Sequence, residues 1–177
     1  MTLHIIPIGP IDPDLLAALQ EGLQIVYNQT ITLRPSLPIP ESALEKERHQ
    51  YHAEKVIRSL LAAADPSANN RSLGIINRDL YVPRLNFIFG IAARTVALVS
   101  IARLRQGFYG LPDDRSLLLR RTLAEAVHEL GHTFGLGHCT DHTCAMFFSN
   151  SIRDTDQKKP ELCPRCRRVL MKQKRTL

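Results

Sequence analysis

The chain has 177 residues, 44% of them apolar, and a net charge of +6, which is enough material to bury a core as one domain divided into lobes around a cleft. No apolar run reaches membrane-spanning length. Residues Met1 to Pro10 carry no cationic region ahead of their apolar positions and are interrupted by Pro7, Gly9 and Pro10, so neither a membrane anchor nor a secretory signal is expected, and the expected setting is a cytoplasmic monomer.

Leu3 to Ile8 is apolar and partly β-branched and reads as a strand. Asp12-Pro13 is a helix start, and Leu15, Leu16, Leu19, Leu23 and Val26 keep helical spacing to about Tyr27. Thr30 to Arg34 is a short strand, followed by a loop punctuated by Pro35, Pro38 and Pro40. The stretch from Glu41 to Ala64 is predicted to be helical, with His49 and His52 three residues apart as solvent-facing side chains and no partner to make them a metal site. Beyond a polar loop, Leu73 to Ile76, Leu85 to Phe89 and Thr95 to Ile101 read as strands separated by Pro83 and Gly90. A long helix is predicted from Asp114 or Arg115 to near Gly135, with Leu118, Leu119, Leu123, Ala126, Val127 and Leu130 on its buried side. The charge excess falls partly in Arg165, Arg167, Arg168, Lys172, Lys174 and Arg175. A solvated final helix accounts for it, and without interleaved aromatic residues nucleic acid is not the expected partner.

Chemistry enters on the long helix, at His128-Glu129-Leu130-Gly131-His132-Thr133-Phe134-Gly135-Leu136-Gly137-His138-Cys139. His128 and His132 are one turn apart, so both imidazoles leave the same face and can reach one ion. Glu129 is turned by about 100° around the axis, too far for a comfortable ligand but well placed for a water at the metal. Gly135 tolerates the left-handed backbone that ends a helix, and the turn can bring His138 back as a third ligand. Three imidazoles leave the fourth position open, which separates a catalytic zinc from a structural one.

The four cysteines are grouped as Cys139-x4-Cys144, then eighteen residues, then Cys163-Pro164-Arg165-Cys166. This reads as a closed tetrathiolate zinc site. Two disulfides or free thiols are the alternative, disfavoured in a reducing compartment. His142, inside the first knuckle, is read as a loop residue rather than a substitute ligand. Cys139 follows His138 directly, so a structural ion would fix the chain just past the third histidine, and the C-terminal residues, with little other apolar material, are expected to fold with their metal.

These residues resemble a known family. His128-Glu129-x-x-His132-x-x-Gly135-x-x-His138 is similar to the metzincin zinc signature, and Cys139, Cys144-Ala145-Met146 and Cys163-x-x-Cys166 resemble the archaemetzincins in particular. The resemblance implies an α/β metzincin-like fold: a twisted, mixed and mostly parallel sheet with backing helices over residues 1–137, an active-site helix at about 115–135, and a small zinc-stabilised C-terminal subdomain over residues 138–177. It implies that Met146 forms an apolar floor beneath the three histidines. It also implies that extended peptide binds along an antiparallel edge strand, for which Leu85 to Phe89 is the candidate. Some metzincins place a tyrosine just after the methionine, where this chain has Phe147 and Phe148.

The expected activity is zinc-dependent peptide hydrolysis, with two zinc ions per chain and a peptide or protein substrate. Glu129 is expected to act as general base. A zinc hydrolase acting on another amide fits the same residues, as does a binding module whose histidine site is vestigial. A substrate panel with a chelator control separates the first two, and salt-dependent nucleic-acid binding would mark the third.

Overall fold

A computed structural model describes residues 2–65, 67 and 69–176 of the chain. The first strand, β1 (Leu3–Ile8), is buried along its whole length. It is followed by helix α1 (Pro13–Tyr27), which starts where Asp12 accepts a hydrogen bond from the Asp14 amide with Pro13 in the first turn, and stops at left-handed Asn28. Next come β2 (Ile31–Leu33), a 3-10 turn, β3 (Leu44–Glu45), β4 (Gln50–His52) and α2 (Ala53–Ala63). Four strands follow: β5 (Arg71–Ile76), β6 (Leu80–Tyr81), β7 (Gly90–Ala93) and β8 (Val96–Ser100). Helices α3 (Arg115–Thr133), α4 (Ile152–Gln157) and α5 (Pro164–Thr176) complete the chain.

The main sheet has the order β2-β1-β5-β8-β7, parallel except for β7, which runs antiparallel at the edge. Its strands alternate between two apolar layers. Leu3, Ile5, Leu73, Ile75, Ala97 and Val99 face α1 and α3, while Ile6, Ile8, Ile76, Val96 and Leu98 face α2. Helices on both faces explain why β1, β5 and β8 are buried along their whole length instead of alternating between buried and exposed positions. The layer under α1 and α3 continues into the C-terminal residues, taking in Ala145, Met146, Leu162 and Leu170 together with three of the cysteines. This is more apolar anchorage than the sequence of that segment suggests.

Three sequence expectations need correction here. The helix expected over 41–64 exists only from Ala53. Ahead of it the chain forms a small second sheet, β3-β4-β6, in which Tyr51 pairs with Leu80 and donates its amide to the Asp79 carbonyl. His49 sits at φ 53° in the left-handed region, which is incompatible with a continuing helix, and strand pairing overrides the local helical preference. His52 accordingly stands at the N-cap position of α2, without a side-chain capping bond, and packs its ring against Tyr81 rather than sharing a helix face with His49.

The segment Leu85 to Phe89 is a loop, joined to strands by an isolated bridge between Ile88 and Leu80 and by the Ser100 amide on the Phe89 carbonyl; the antiparallel edge strand is β7, immediately after it. In the final helix, Lys174 is not one of the solvated cations: its ammonium donates to the Tyr27 carbonyl at 2.8 Å and to Gln29 Oε1 at 3.2 Å. There a cation meets the unsatisfied carbonyls at the end of α1.

Candidate metal centre and active-site cleft

Helix α3 carries the site because both of its ends are fixed. Asp114 caps the start through the Leu117 amide at 2.9 Å. At the end, Gly135 takes φ 80°, its amide bonds the His132 carbonyl, and the Leu136 amide bonds the Gly131 carbonyl. This is a Schellman closure, and it turns the chain back so that His138 returns to the helix. The potential ligand atoms of His128, His132 and His138 then lie within 4.8 Å of one another. His128 is buried, His132 half-buried and His138 exposed, a gradient running from the core to the open side of the cleft.

The hydrogen bonds behind the rings decide what these histidines can hold. His128 Nδ1 faces the Ala145 carbonyl and His132 Nδ1 the Leu136 carbonyl, each at 2.8 Å. A carbonyl only accepts, so both Nδ1 atoms carry the proton, and both Nε2 atoms present bare lone pairs. Those two Nε2 atoms are 3.0 Å apart. Neither can donate to the other, so the arrangement calls for a cation between them, and the all-nitrogen donor set suits zinc. Burial, with the charge of Lys158 and of His132 adding to it, pushes the His128 pKa down to about 3, so its imidazole is neutral and available as a ligand at neutral pH. His132 is lowered in the same direction, again chiefly by burial.

Glu129 lies in the same cleft, 7% exposed, with His128, Glu125, Gly90, Phe148 and residues 85–89 around a space of about 250 Å³. Burial, and then the neighbouring Glu125 carboxylate, push its pKa well above the ordinary carboxylate range, while Lys158 opposes them. Sequence reasoning missed two residues here. Lys158 is fully buried, and its ammonium meets Glu125 Oε1 at 2.8 Å, cancelling a charge one helical turn from Glu129. Gly90 leaves the space that Glu129 fills: a Cβ there would fall 2.6 Å from Glu129 Cγ. A lone glycine at a strand boundary was the available signal for such a close approach.

Met146 lies beneath α3, where a Cβ on Gly131 would collide with its Sδ. The turn that carries it is tied to the helix through the bond from His128 to the Ala145 carbonyl, and to the stretch after His138 through Cys139 N–H to the Met146 carbonyl at 2.9 Å. Phe148, standing where the resemblance would allow a tyrosine, packs its ring 4.9 Å from that of His138.

Cys139, Cys144, Cys163 and Cys166 form the second cluster, their sulfurs also within 4.8 Å of one another. All four are free thiols, which removes the disulfide alternative, and His142 lies outside the group. Cys139 Sγ and Cys163 Sγ are 3.8 Å apart. Tetrahedral zinc with bonds of about 2.3 Å requires sulfur pairs at about 3.8 Å, whereas a disulfide requires about 2.05 Å. Burial raises the Cys166 and Cys144 thiols. Burial also works against ionisation of Cys163, but hydrogen bonds from the Cys166 amide and the neighbouring thiols outweigh it and hold that thiol below its ordinary value. The donor set fits a closed zinc site.

With the geometry described, comparison with known proteins identifies the lineage. Residues 14–172 match Peptidase family M54. The chain is 42% identical over 175 residues to the archaemetzincin of Pyrococcus abyssi, covering 95% of this chain and 93% of that one. Among solved structures, it is similar to the archaemetzincin of Methanopyrus kandleri, with a TM-score of 0.85 and 36% identity over 98% of this chain and 94% of the other. It is also similar to a zinc-dependent peptidase from Methanocorpusculum labreanum, with a TM-score of 0.87 and 28% identity over 95% and 99%. The chain therefore belongs to peptidase family M54, the archaemetzincins, and is a zinc metallopeptidase of mixed α/β fold.

Proposed function

We propose that the chain hydrolyses peptide bonds at the three-histidine site with Glu129 as general base, and that it holds two zinc ions, one there and one among the four cysteines. The observation that carries this reading is the pair of Nε2 lone pairs facing each other at 3.0 Å beside a buried carboxylate in an open cleft. His128, His132 and His138 would hold the catalytic ion, and Cys139, Cys144, Cys163 and Cys166 the structural one. Bound at the histidines, zinc supplies Lewis acidity, lowering the pKa of water from about 15.7 to near 7 and polarising a carbonyl.

The protein's own residues do the rest. Glu129 takes the proton of the attacking water and passes it to the leaving amine. Gly90 leaves room for that carboxylate, and Lys158 neutralises Glu125 so that Glu129 does not work beside a second free negative charge. Strand β7 offers a free edge for an extended peptide, and the apolar Leu85, Phe87, Phe89 and Phe148 line the adjoining cleft. The division into an N-terminal unit ending near Gly137 and a C-terminal zinc-bearing unit follows the same reading.

The test is Glu129→Gln. It keeps the shape of the side chain and all three histidines, so zinc content is expected to stay unchanged while turnover of a cleaved peptide falls by about 10²- to 10⁴-fold. A variant with undiminished turnover removes the general-base assignment. Cleavage of peptides but not of small non-peptide amides, abolished by a chelator, separates a peptidase from a broader amide hydrolase.

A further inference from the structure

Residues 85–89 form one wall of the cleft, yet they belong to no strand. Their backbone is held by the Leu85 amide on the Val82 carbonyl, the Ile88 amide on the Leu80 carbonyl and, at the far end, the Ser100 amide on the Phe89 carbonyl. A loop's carbonyls still need partners, and here the partners come from far away in sequence. Gln50 Nε2 donates to the Asn86 carbonyl at 2.8 Å, and Arg48 Nη2 donates to the same carbonyl at 3.1 Å and to that of Leu85 at 3.4 Å.

The amide of Gln50 is fully committed. Its Nε2 also donates to Asp79 Oδ2 at 2.9 Å, and its Oε1 accepts from Arg48 Nε at 2.9 Å. Gln50 is 6% exposed, so it has no water to exchange for these bonds. Asp79 is gripped in turn by Arg103, through Nε at 2.7 Å and Nη2 at 2.8 Å. The Arg103 guanidinium lies 4.2 Å from the centre of the Phe87 ring, and Phe87 packs edge-on against Phe89 at 5.2 Å. One connected set of polar contacts therefore fixes the wall twice, by its backbone at Asn86 and by its side chain at Phe87. None of Arg48, Gln50, Asp79 and Arg103 lines the cleft itself.

We infer that Gln50 and Arg48, together with the Asp79–Arg103 pair, are positioning residues that hold the cleft wall in register with the histidine site and so set substrate affinity without touching the reacting atoms. This rests on the peptidase reading. It separates these residues from Glu129, whose loss acts on turnover.

The test uses Gln50→Leu and Arg48→Ala in the full chain. Arg48 is exposed, so its variant keeps the inference testable even if Gln50→Leu folds poorly. Three quantities are measured: KM and kcat on a peptide that the unaltered protein cleaves, affinity for a peptide hydroxamate by calorimetry, and backbone hydrogen exchange at residues 85–89 on the protein as purified with its metal. The expected result is a rise of about tenfold in KM and hydroxamate Kd for Gln50→Leu and about threefold for Arg48→Ala, with kcat within about twofold. Zinc content should be unchanged and exchange at residues 86–88 faster. Unchanged affinity in both variants overturns the inference, as does a fall in kcat at constant KM. Unaltered protein that neither cleaves peptides nor binds the hydroxamate overturns the peptidase reading instead, and the two failures are distinct.

Discussion

Gly90 shows how narrowly the position of Glu129 is determined. A methyl group at residue 90 would meet Glu129 Cγ at 2.6 Å and the Leu98 backbone carbonyl at 2.8 Å. The carboxylate can swing away, but the β8 backbone cannot, because it is paired on both sides. Gly90→Ala is therefore expected to displace Glu129 and leave the three histidines alone. The expected outcome is full zinc content, a lowered melting temperature from the contact with the Leu98 carbonyl and a loss of about 10²-fold in kcat, the usual penalty for misplacing a catalytic group by about 1 Å. Metal analysis alongside steady-state kinetics checks it, and full activity in the variant would show that Glu129 tolerates the displacement or is not the base. Gly131 plays the corresponding part below the histidines, where the Met146 sulfur occupies the space a side chain would need.

Helix α4 is short, and it is held to α3 by the buried Thr155 hydroxyl, which donates to Glu125 Oε1 at 2.9 Å, and by one carboxylate. Asp156 accepts from Arg121 through Nε and Nη2, each at 2.7 Å, and from Arg120 Nη2 at 2.9 Å. Burial works against its ionisation, but the hydrogen bonds and charge of Arg121, followed by those of Arg120, prevail and hold its pKa below the ordinary aspartate value. A carboxylate depressed in the folded state binds fewer protons there than in the unfolded chain, so its stabilisation is present above the ordinary aspartate pKa of about 3.9 and is lost as pH falls below it. Asp156→Asn is expected to lower stability at pH 7 by about 1–3 kcal/mol. The gap between the two proteins should hold down to the ordinary aspartate pKa of about 3.9 and narrow as pH falls from there through the depressed native value, and denaturant unfolding of both at each pH checks this, since losses common to both cancel. The sequence showed α1 and α3 well, because caps and apolar period agreed at Asp12-Pro13 and Asp114, and it showed the histidine and cysteine groups that the structure brings together because their spacing is local. It did not show α4, although Ser151 and Asp154 form a capping box, since six residues are too few for a period to register. Nor did it show β3 and β4, which exist only by pairing with one another and with β6, or the network on residues 85–89, which joins positions 48, 50, 79 and 103 that no local pattern connects.

At the scale of the whole molecule, the cysteine cluster belongs to the interior and is no appended knuckle. Cys139, Cys144 and Cys166 share one apolar cluster with Leu3, Leu19 and Val127 from β1, α1 and α3, and Lys174 ties the last helix to the end of α1. Free energy released when the sulfurs bind an ion is free energy of folding, and in a shared core it is felt by the entire chain. Cys163→Ser, at the half-buried member of the four, is accordingly expected to reduce zinc from two ions per chain to one and to lower the melting temperature in a single transition. The loss should be about 4 kcal/mol at free zinc a thousandfold above the unaltered site's Kd. Because Cys144 and Cys166 are held protonated by burial, ion uptake must release protons, so the difference between zinc-loaded and stripped protein should shrink as pH falls. Calorimetry with metal analysis on both proteins tests this. Two separate transitions would show that the C-terminal residues melt independently of the sheet, and two ions retained in the variant would show that Cys163 is not a ligand.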